Sequence, residues 1–462
     1  MAQVFLDHET PVYDLVGVGF GPSNLALAIA LTEHNAAAGP GSSDTVTAHF
    51  LERQPCFGWH RGMLIEDATM QVSFLKDLVT LRNPASRFSF LSYLHSKGRL
   101  VDFVNHKNLF PLRVEFHDYF EWSAAQVDDL VSYDQEVVAV RPVRADGDDE
   151  VLYVDVETRT PGGRSEVFRA RNLVVATGLR PNLPEGVTTS DRVWHNRELM
   201  HRVDGIDEDT ASRFVVIGAG QSAAEVTAFL HGRFPRAEVC SVFSRFGYSP
   251  SDDSAFANRV FDPDAVDEFY GAPEDTKQRI MGYHANTNYS VVDLELIDDL
   301  YRRMYRERVL GRERLRLFNV SRPVEVAETG DGVRVTVESL TSGARTELES
   351  DVVVYSTGYR PDDSLPLLGE LAGRCLRDEH GRLDVERDYR IRTDAAVRTG
   401  IYLQGGGTEH THGITSSLLS NNAVRSGEIL RSILYSKRAA VPGVPETRGP
   451  QARYAVSGSA ST

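Results

Sequence analysis

The stretch Leu15-Val16-Gly17-Val18-Gly19-Phe20-Gly21-Pro22, with Leu25, Leu27, Ala28 and Leu31 beyond it, leaves this chain few ways to fold. Residues 15–18 form an uninterrupted apolar run, which reads as a buried parallel strand. Pro22 stands where a helix would begin, a position at which its missing N–H costs nothing. Strand, glycine turn and helix in that order cradle a pyrophosphate. Gly17 is expected to allow the tight turn and Gly19 to let the backbone approach the phosphates, while the helix N-terminus offers N–H donors and positive partial charge. Gly21 continues the series and Pro22 replaces the usual third glycine. The next apolar run, residues 46–51, ends at Glu52, an acid placed to bind a ribose hydroxyl. Residues 35–43 lengthen that interval. The plain alternative is a glycine-rich loop without a ligand.

The pattern returns at Phe214-Val215-Val216-Ile217-Gly218-Ala219-Gly220-Gln221-Ser222-Ala223, with alanine as the third small residue. The strand that follows, residues 238–243, runs into Ser244-Arg245 instead of an acid. An acid there would repel a 2′-phosphate and an arginine would pair with it, so the second nucleotide is expected to be NADPH; otherwise Arg245 is a solvated surface charge. Two further apolar strands stop at Thr177-Gly178 and Thr357-Gly358, and each is followed by Arg-Pro. They read as two related crossings between domains.

The expected architecture is therefore α/β, with two Rossmann-like dinucleotide-binding domains and a small helical insertion. Residues 1–185 with 350–436 would bind one dinucleotide, and 186–260 with 310–349 the other. Residues 261–309, charge-rich and helical in pattern, would form the insertion. A helix is expected over 416–435, and residues 437–462, rich in Pro, Gly, Ser and Ala, read as a disordered tail. Residues 57–90 read as loops and short helices over a pocket, and 136–140 with 151–157 as a hairpin.

The net charge of −16 argues against nucleic acid and anionic membranes as partners. The three cysteines, Cys56, Cys240 and Cys375, are far apart, which fits a reducing cytoplasm and excludes a paired-cysteine redox centre. No basic-then-apolar leader opens the sequence, and the longest apolar run is too short to span a bilayer. A cytoplasmic protein is expected.

Two nucleotide modules in one chain call for a reason. A nicotinamide donates a hydride, and a second dinucleotide, a flavin such as FAD, can pass the electrons to a disulfide or to oxygen. Without a cysteine pair, oxygen is the remaining common acceptor, which points to a flavin monooxygenase.

Five blocks then carry a resemblance. They are Gly17 to Asn24, Met70-Gln71-Val72-Ser73-Phe74-Leu75-Lys76-Asp77-Leu78, Gly218 to Glu225, Asn286-Thr287-Asn288-Tyr289-Ser290-Val291-Val292-Asp293, and Thr408-Glu409-His410-Thr411-His412-Gly413. Together they resemble the microbial N-hydroxylating flavin monooxygenases, over about residues 13–430, and within them the L-ornithine N5-monooxygenases. The resemblance implies FAD reduction by NADPH, capture of O2 as a C4a-hydroperoxide, and attack on it by the neutral side-chain amine of L-ornithine. The product would be N5-hydroxy-L-ornithine, used for hydroxamate siderophores, and the enzyme a homo-oligomer, a tetramer by family pattern.

The same resemblance assigns residues. Glu52, Trp59, His60 and Gln71 would line FAD, together with Ser417 and Leu419. Gln221, Ser222 and Arg245 would hold the NADP phosphates and ribose, with Asn288 and Ser290 touching both NADP+ and substrate. Lys76 and Asn258 would grip the substrate carboxylate, and Ser420 would lie by its side-chain amine. Arg113 resembles an arginine close to the nicotinamide and flavin, and Gln71 and Asn288 would position the reaction. Outside its block Lys76 reads as a snorkelling lysine and Asn258 as a helix cap. His410 and His412 lack a third metal ligand, so no metal site is expected. The rival readings are an L-lysine N6-monooxygenase, a carbon- or sulfur-oxygenating flavin enzyme, and a nucleotide-sensing regulator.

Overall fold

Two five-stranded parallel sheets carry the fold, in a computed structural model that describes residues 11–144 and 149–439. The first sheet runs, in spatial order, Gly400–Leu403, Asn172–Val175, Leu15–Val18, Ala48–Leu51 and Val131–Ser132. The second runs Val193–His195, Val352–Tyr355, Arg213–Ile217, Glu238–Val242 and Leu315–Phe318. Their central strands are buried on both faces, which is why they read as unbroken apolar runs.

Alternate side chains serve two cores, as strand geometry requires. Leu15, Phe50, Val174 and Tyr402 pack under the helices Pro22–Ala38 and Asn422–Ala439. Val16, Leu51, Val175 and Ile401 pack against a mixed sheet in which Val12–Tyr13 runs parallel to Ser165–Ala170, and Val151–Arg159 and Glu136–Arg144, the expected hairpin, continue it antiparallel. The second half repeats the plan. Phe214, Val216 and Val354 face helix Gln221–Arg233. Val215, Cys240 and Val353 face the antiparallel strands Ser321–Glu328, Val333–Ser339 and Arg345–Ser350.

The halves are joined where the two Thr-Gly turns end. Leu179–Pro181 and Tyr359–Pro361 pair antiparallel, with Arg180 opposite Arg360. This shifts the expected boundary at 350, because Val352–Tyr355 lies inside the second sheet and the crossing comes only at Thr357-Gly358. The expected helical insertion is three helices, Pro263–Gly271, Glu274–His284 and Leu294–Leu310. They are shared between the halves: Leu300 enters the core beneath Gln221–Arg233, while Pro263–Gly271 packs on Glu409–His412 of the first half.

The last helix also differs from expectation. Ile414–Ser417 forms a 3-10 turn, and the helix proper is Asn422–Ala439. Lys437 and Arg438, expected in the tail, belong to it and pair with Asp14 at 2.8 Å and Asp44 at 3.0 Å. Residues 440–462 lie outside the described residues. No helix among the described residues is long and apolar enough to cross a membrane.

Candidate active site

Both glycine turns open into one cleft of about 2800 Å³ between the halves. At each turn the backbone takes a conformation that only glycine adopts comfortably. Gly19 has φ +82°, and a Cβ there would sit 2.5 Å from the Ala176 carbonyl oxygen. Gly218 has φ +141°, and a Cβ there would overlap the Ser356 carbonyl. These carbonyls belong to the two Thr-Gly strand ends, so each turn is pressed against the strand that follows it in the sheet. Gly21 has open space where a side chain would stand. Neither Gly21 nor Gly220 has a side-chain cap, so the first N–H groups of both helices are left to serve a ligand. Pro22 occupies the first helical turn as expected. This donor set fits two pyrophosphates.

Gly17 does not line the cleft. It lies within the strand Leu15–Val18, where any side chain would overlap the Phe50 ring, so it serves helix–strand packing instead of the turn. Asn24, which sequence reasoning passed over, holds the turn from beneath. It is fully buried, its amide donates to the Gly19 carbonyl at 2.7 Å, and it accepts from Gln404 at 2.9 Å.

Glu52 ends its strand 6% exposed, accepting from the backbone N–H of Phe20 at 2.6 Å and of Gln54 at 2.9 Å. Trp59 and His60 stand beside it in the cleft wall. His60 is exposed to the cleft, yet the protein packed around it, then the charges of Arg113 and Arg197, push its imidazole down to about 4. In the second half, Gln221 and Ser222 open the helix, and the exposed Arg245 donates to the Ser290 carbonyl at 2.7 Å. Ser290 itself has φ +56°, which turns the chain after Asn288.

A polar relay stitches the halves together at the cleft floor. Gln71 donates to Asp293 at 2.6 Å, Gln221 donates to the same oxygen at 3.0 Å, and Asp293 N–H donates back to Gln221 at 2.9 Å. Gln221 also reaches Glu225 at 3.1 Å, and Arg113 grips Glu225 with two bonds of 2.6 and 2.9 Å. Burial alone would lower the Arg113 guanidinium, but the Glu225 charge outweighs it and the net shift is upward. Burial raises the Asp293 carboxyl. Arg113 also donates to the Met63 and Thr69 carbonyls, so most of its donors are spent on the protein. Glu225 and Asp293 were not singled out in the sequence. They sit in the right blocks, yet nothing in the spacing pairs them across 112 and 222 residues.

Farther along the cleft, Lys76 lies with its ammonium 5.3 Å from the Phe261 ring and no carboxylate partner among the described residues. Burial pushes it down, with Asp262 opposing. Asp77 beside it is the staple of this loop, accepting from the N–H of Val79, Thr80 and Phe90. Asn258 sits in the 3-10 turn Ala257–Phe261, its amide donating to the Asp253 carbonyl at 2.6 Å. Ser417, Leu419 and Ser420 line the same cleft, and Tyr289 donates to Glu409, tying the 286–290 loop to the 408–413 loop. His410 and His412 turn to the carbonyls of Leu383 and Arg387.

Residues 11–361 match the family model described as L-lysine 6-monooxygenase/L-ornithine 5-monooxygenase. The chain is 41% identical over 450 residues to an L-ornithine N(5)-monooxygenase of Burkholderia cepacia, covering 96% of this chain and 99% of that one. Among solved structures, an ornithine N-hydroxylase of Kutzneria sp. 744, with reduced FAD, NADP+ and L-ornithine, is 48% identical with TM-score 0.86, covering 92% of this chain and 99% of that one. An ornithine hydroxylase of Pseudomonas aeruginosa is 35% identical with TM-score 0.85, covering 92% of this chain and 100% of that one. With two glycine cradles facing one cleft and matches over nearly its whole length, this chain belongs to the L-lysine 6-monooxygenase/L-ornithine 5-monooxygenase family.

Proposed function

We propose that this chain hydroxylates the side-chain amine of L-ornithine, using FAD, NADPH and O2, to give N5-hydroxy-L-ornithine. The observation that carries the reading is that both cradles open into one cleft, with Lys76 in its wall as a half-buried cation that has no carboxylate partner among the described residues. FAD, when bound, supplies the two-electron carrier that NADPH reduces and that activates oxygen. The protein supplies placement. The first cradle and Glu52 take FAD, and the second cradle with Ser222 and Arg245 takes NADPH. Lys76 and Asn258 bind the amino-acid carboxylate, since a buried ammonium is stabilised by an anion it can meet. Asn288 and Ser420 are neutral groups that hold an uncharged amine, the form able to act as a nucleophile. Gln71, fixed by Asp293, and Trp59 and His60, with Ser417 and Leu419, complete the walls. The Tyr289–Glu409 bond holds two cleft-lining loops together, which limits water at the reacting centre.

The domain limits follow the sheets, with FAD in the first half and NADPH in the second. The reading also takes the enzyme as a cytoplasmic homotetramer serving hydroxamate siderophore assembly, on the family pattern; sedimentation velocity checks the tetramer. The substrate test is N-hydroxylated product formed from L-ornithine and from L-lysine with NADPH and FAD. Ornithine should win by about tenfold or more, since one methylene separates substrates by ~1–3 kcal/mol. Equal or reversed rates contradict the ornithine assignment. Lys76→Ala should raise the KM for ornithine far more than that for NADPH, and a parallel rise in both would make Lys76 a scaffold residue.

A further inference from the structure

Arg425 is a buried cation with no carboxylate partner among the described residues. It stands in the first turn of helix Asn422–Ala439 and is 2% exposed. Its Nη1 donates to the Ser416 carbonyl at 2.8 Å, and its Nη2 to the Ser23 hydroxyl at 3.2 Å and to the Asn422 side-chain oxygen. Its Nε has no partner, and neither does the Ser416 hydroxyl beside it. No carboxylate pairs with it among the described residues. Glu428, the acid whose charge it feels, is already held by Arg387 in two bonds of 2.9 and 3.0 Å. The Tyr389 ring, 6.0 Å away, bears a phenol that burial pushes up to about 12, so it is neutral.

A guanidinium stripped of water and left unpaired is costly, and buried charges in folded proteins are ordinarily paired. The side chains and carbonyl it bonds belong to residues that line the cleft. Ser23, Ser416 and Asn422 all line it, and Ser23 belongs to the first turn of helix Pro22–Ala38, whose N-terminus is the first cradle. By donating to the Ser23 oxygen, Arg425 leaves the Ser23 hydroxyl proton free to point elsewhere, as a donor. We propose that Arg425 is the built-in counter-charge for the dinucleotide pyrophosphate at the first cradle, acting through the Ser23 hydroxyl as a positioning residue. This rests on the reading above that the first cradle takes FAD.

The role has a signature that a scaffold arginine lacks. An unmatched cation strains the protein without its ligand and is relieved by it, so its removal acts with opposite sign on the two forms. The experiment measures FAD affinity of flavin-stripped full-length protein by fluorescence quenching, and thermal unfolding with and without FAD, for the wild type, Arg425→Met, Arg425→Lys and Ser23→Ala. Arg425→Met should weaken FAD about tenfold or more, as loss of a charge-assisted contact does. The stripped methionine variant should melt at or above the stripped wild type, while its loaded form melts lower. Arg425→Lys should restore most of the affinity. Unchanged FAD affinity in Arg425→Met, with stripped and loaded forms destabilised alike, overturns the inference alone. A wild-type chain that takes up no FAD overturns the functional reading and the inference with it. If the methionine variant does not fold, Ser23→Ala decides: FAD weakened about threefold or more supports the role, and an unchanged affinity contradicts it.

Discussion

The two halves of the molecule are the same device built twice, and they differ in how firmly each is closed. Both set a five-stranded parallel sheet between helices and a smaller sheet that is wholly or mainly antiparallel, and both press a glycine turn against the carbonyl of a Thr-Gly strand end. The first cradle is locked. Asn24 is buried beneath the turn, Gln404 holds Asn24, and Glu52 is satisfied by two backbone N–H groups. The second ends in Ser244-Arg245 at the surface, where Arg245 reaches only a loop carbonyl. A cofactor kept through many turnovers suits the first, and a cosubstrate that must come and go suits the second. The same strand–turn–helix plan thus serves two kinds of residence, and the side chains at the strand ends help to make the difference.

The same side chain placed in both turns should separate the two halves most clearly. Gly19→Ala should give protein with little or no bound flavin, since the new Cβ meets backbone that cannot yield. Gly218→Ala should keep its flavin and lose reduction by NADPH, by about a hundredfold or more. Flavin absorbance and anaerobic reduction rates check both, and flavin loss in both variants would erase the distinction. At the seam between the halves, Glu225→Ala strands Arg113, whose side chain is 12% exposed. Breaking such a pair costs about 3–5 kcal/mol, which denaturant unfolding measures.

A third contrast lies in the buried histidines. His412, 1% exposed and stacked 4.0 Å from the Tyr389 ring, has no acid partner among the described residues, whereas His231 bonds Glu307 at 2.7 Å. Burial holds the His412 imidazole down at about 3. The unfolded chain takes up that proton below about pH 6.5 and the folded chain resists, so stability is whole above that pH and falls as acid is added towards pH 3. At pH 5 the loss is about 2 kcal/mol, and His412→Gln should flatten it in denaturant titrations at pH 7 and 5. The corresponding loss from His231 should be smaller, because Glu307 offsets part of its burial. The smallest effect is expected at Arg245→Ala. The preference for NADPH over NADH should narrow by about tenfold with flavin content unchanged, and an unaltered ratio would remove Arg245 from the phosphate site.

Local sequence carries the cradles because each is a continuous run whose parts touch one another. The Thr-Gly crossings were legible for the same reason, although their mutual pairing at Arg180 and Arg360 was not. The boundary near 350 was misplaced because Val352–Tyr355 returns to a sheet begun more than a hundred residues earlier, and an apolar strand does not announce which sheet it joins. Gly17 read as a turn residue, yet the Phe50 ring beside it makes it a packing residue. The Gln71–Asp293–Gln221–Glu225–Arg113 relay and the solitary charge of Arg425 exist only after folding. The resemblance assigned Gln71, Gln221 and Arg113 to the site one by one, but nothing in the sequence joins them to Asp293 and Glu225 or marks Arg425.

If one cleft brings both nucleotides and an amino acid's terminal nitrogen together, a single turnover makes it visible. The flavin-loaded chain is reduced anaerobically with NADPH, then mixed with air and L-ornithine, and the products are counted against flavin. Close to one N5-hydroxy-L-ornithine per flavin is expected, with hydrogen peroxide in its place when ornithine is left out. Flavin that NADPH cannot reduce, or reduced flavin that yields only hydrogen peroxide whether or not ornithine is present, would contradict it.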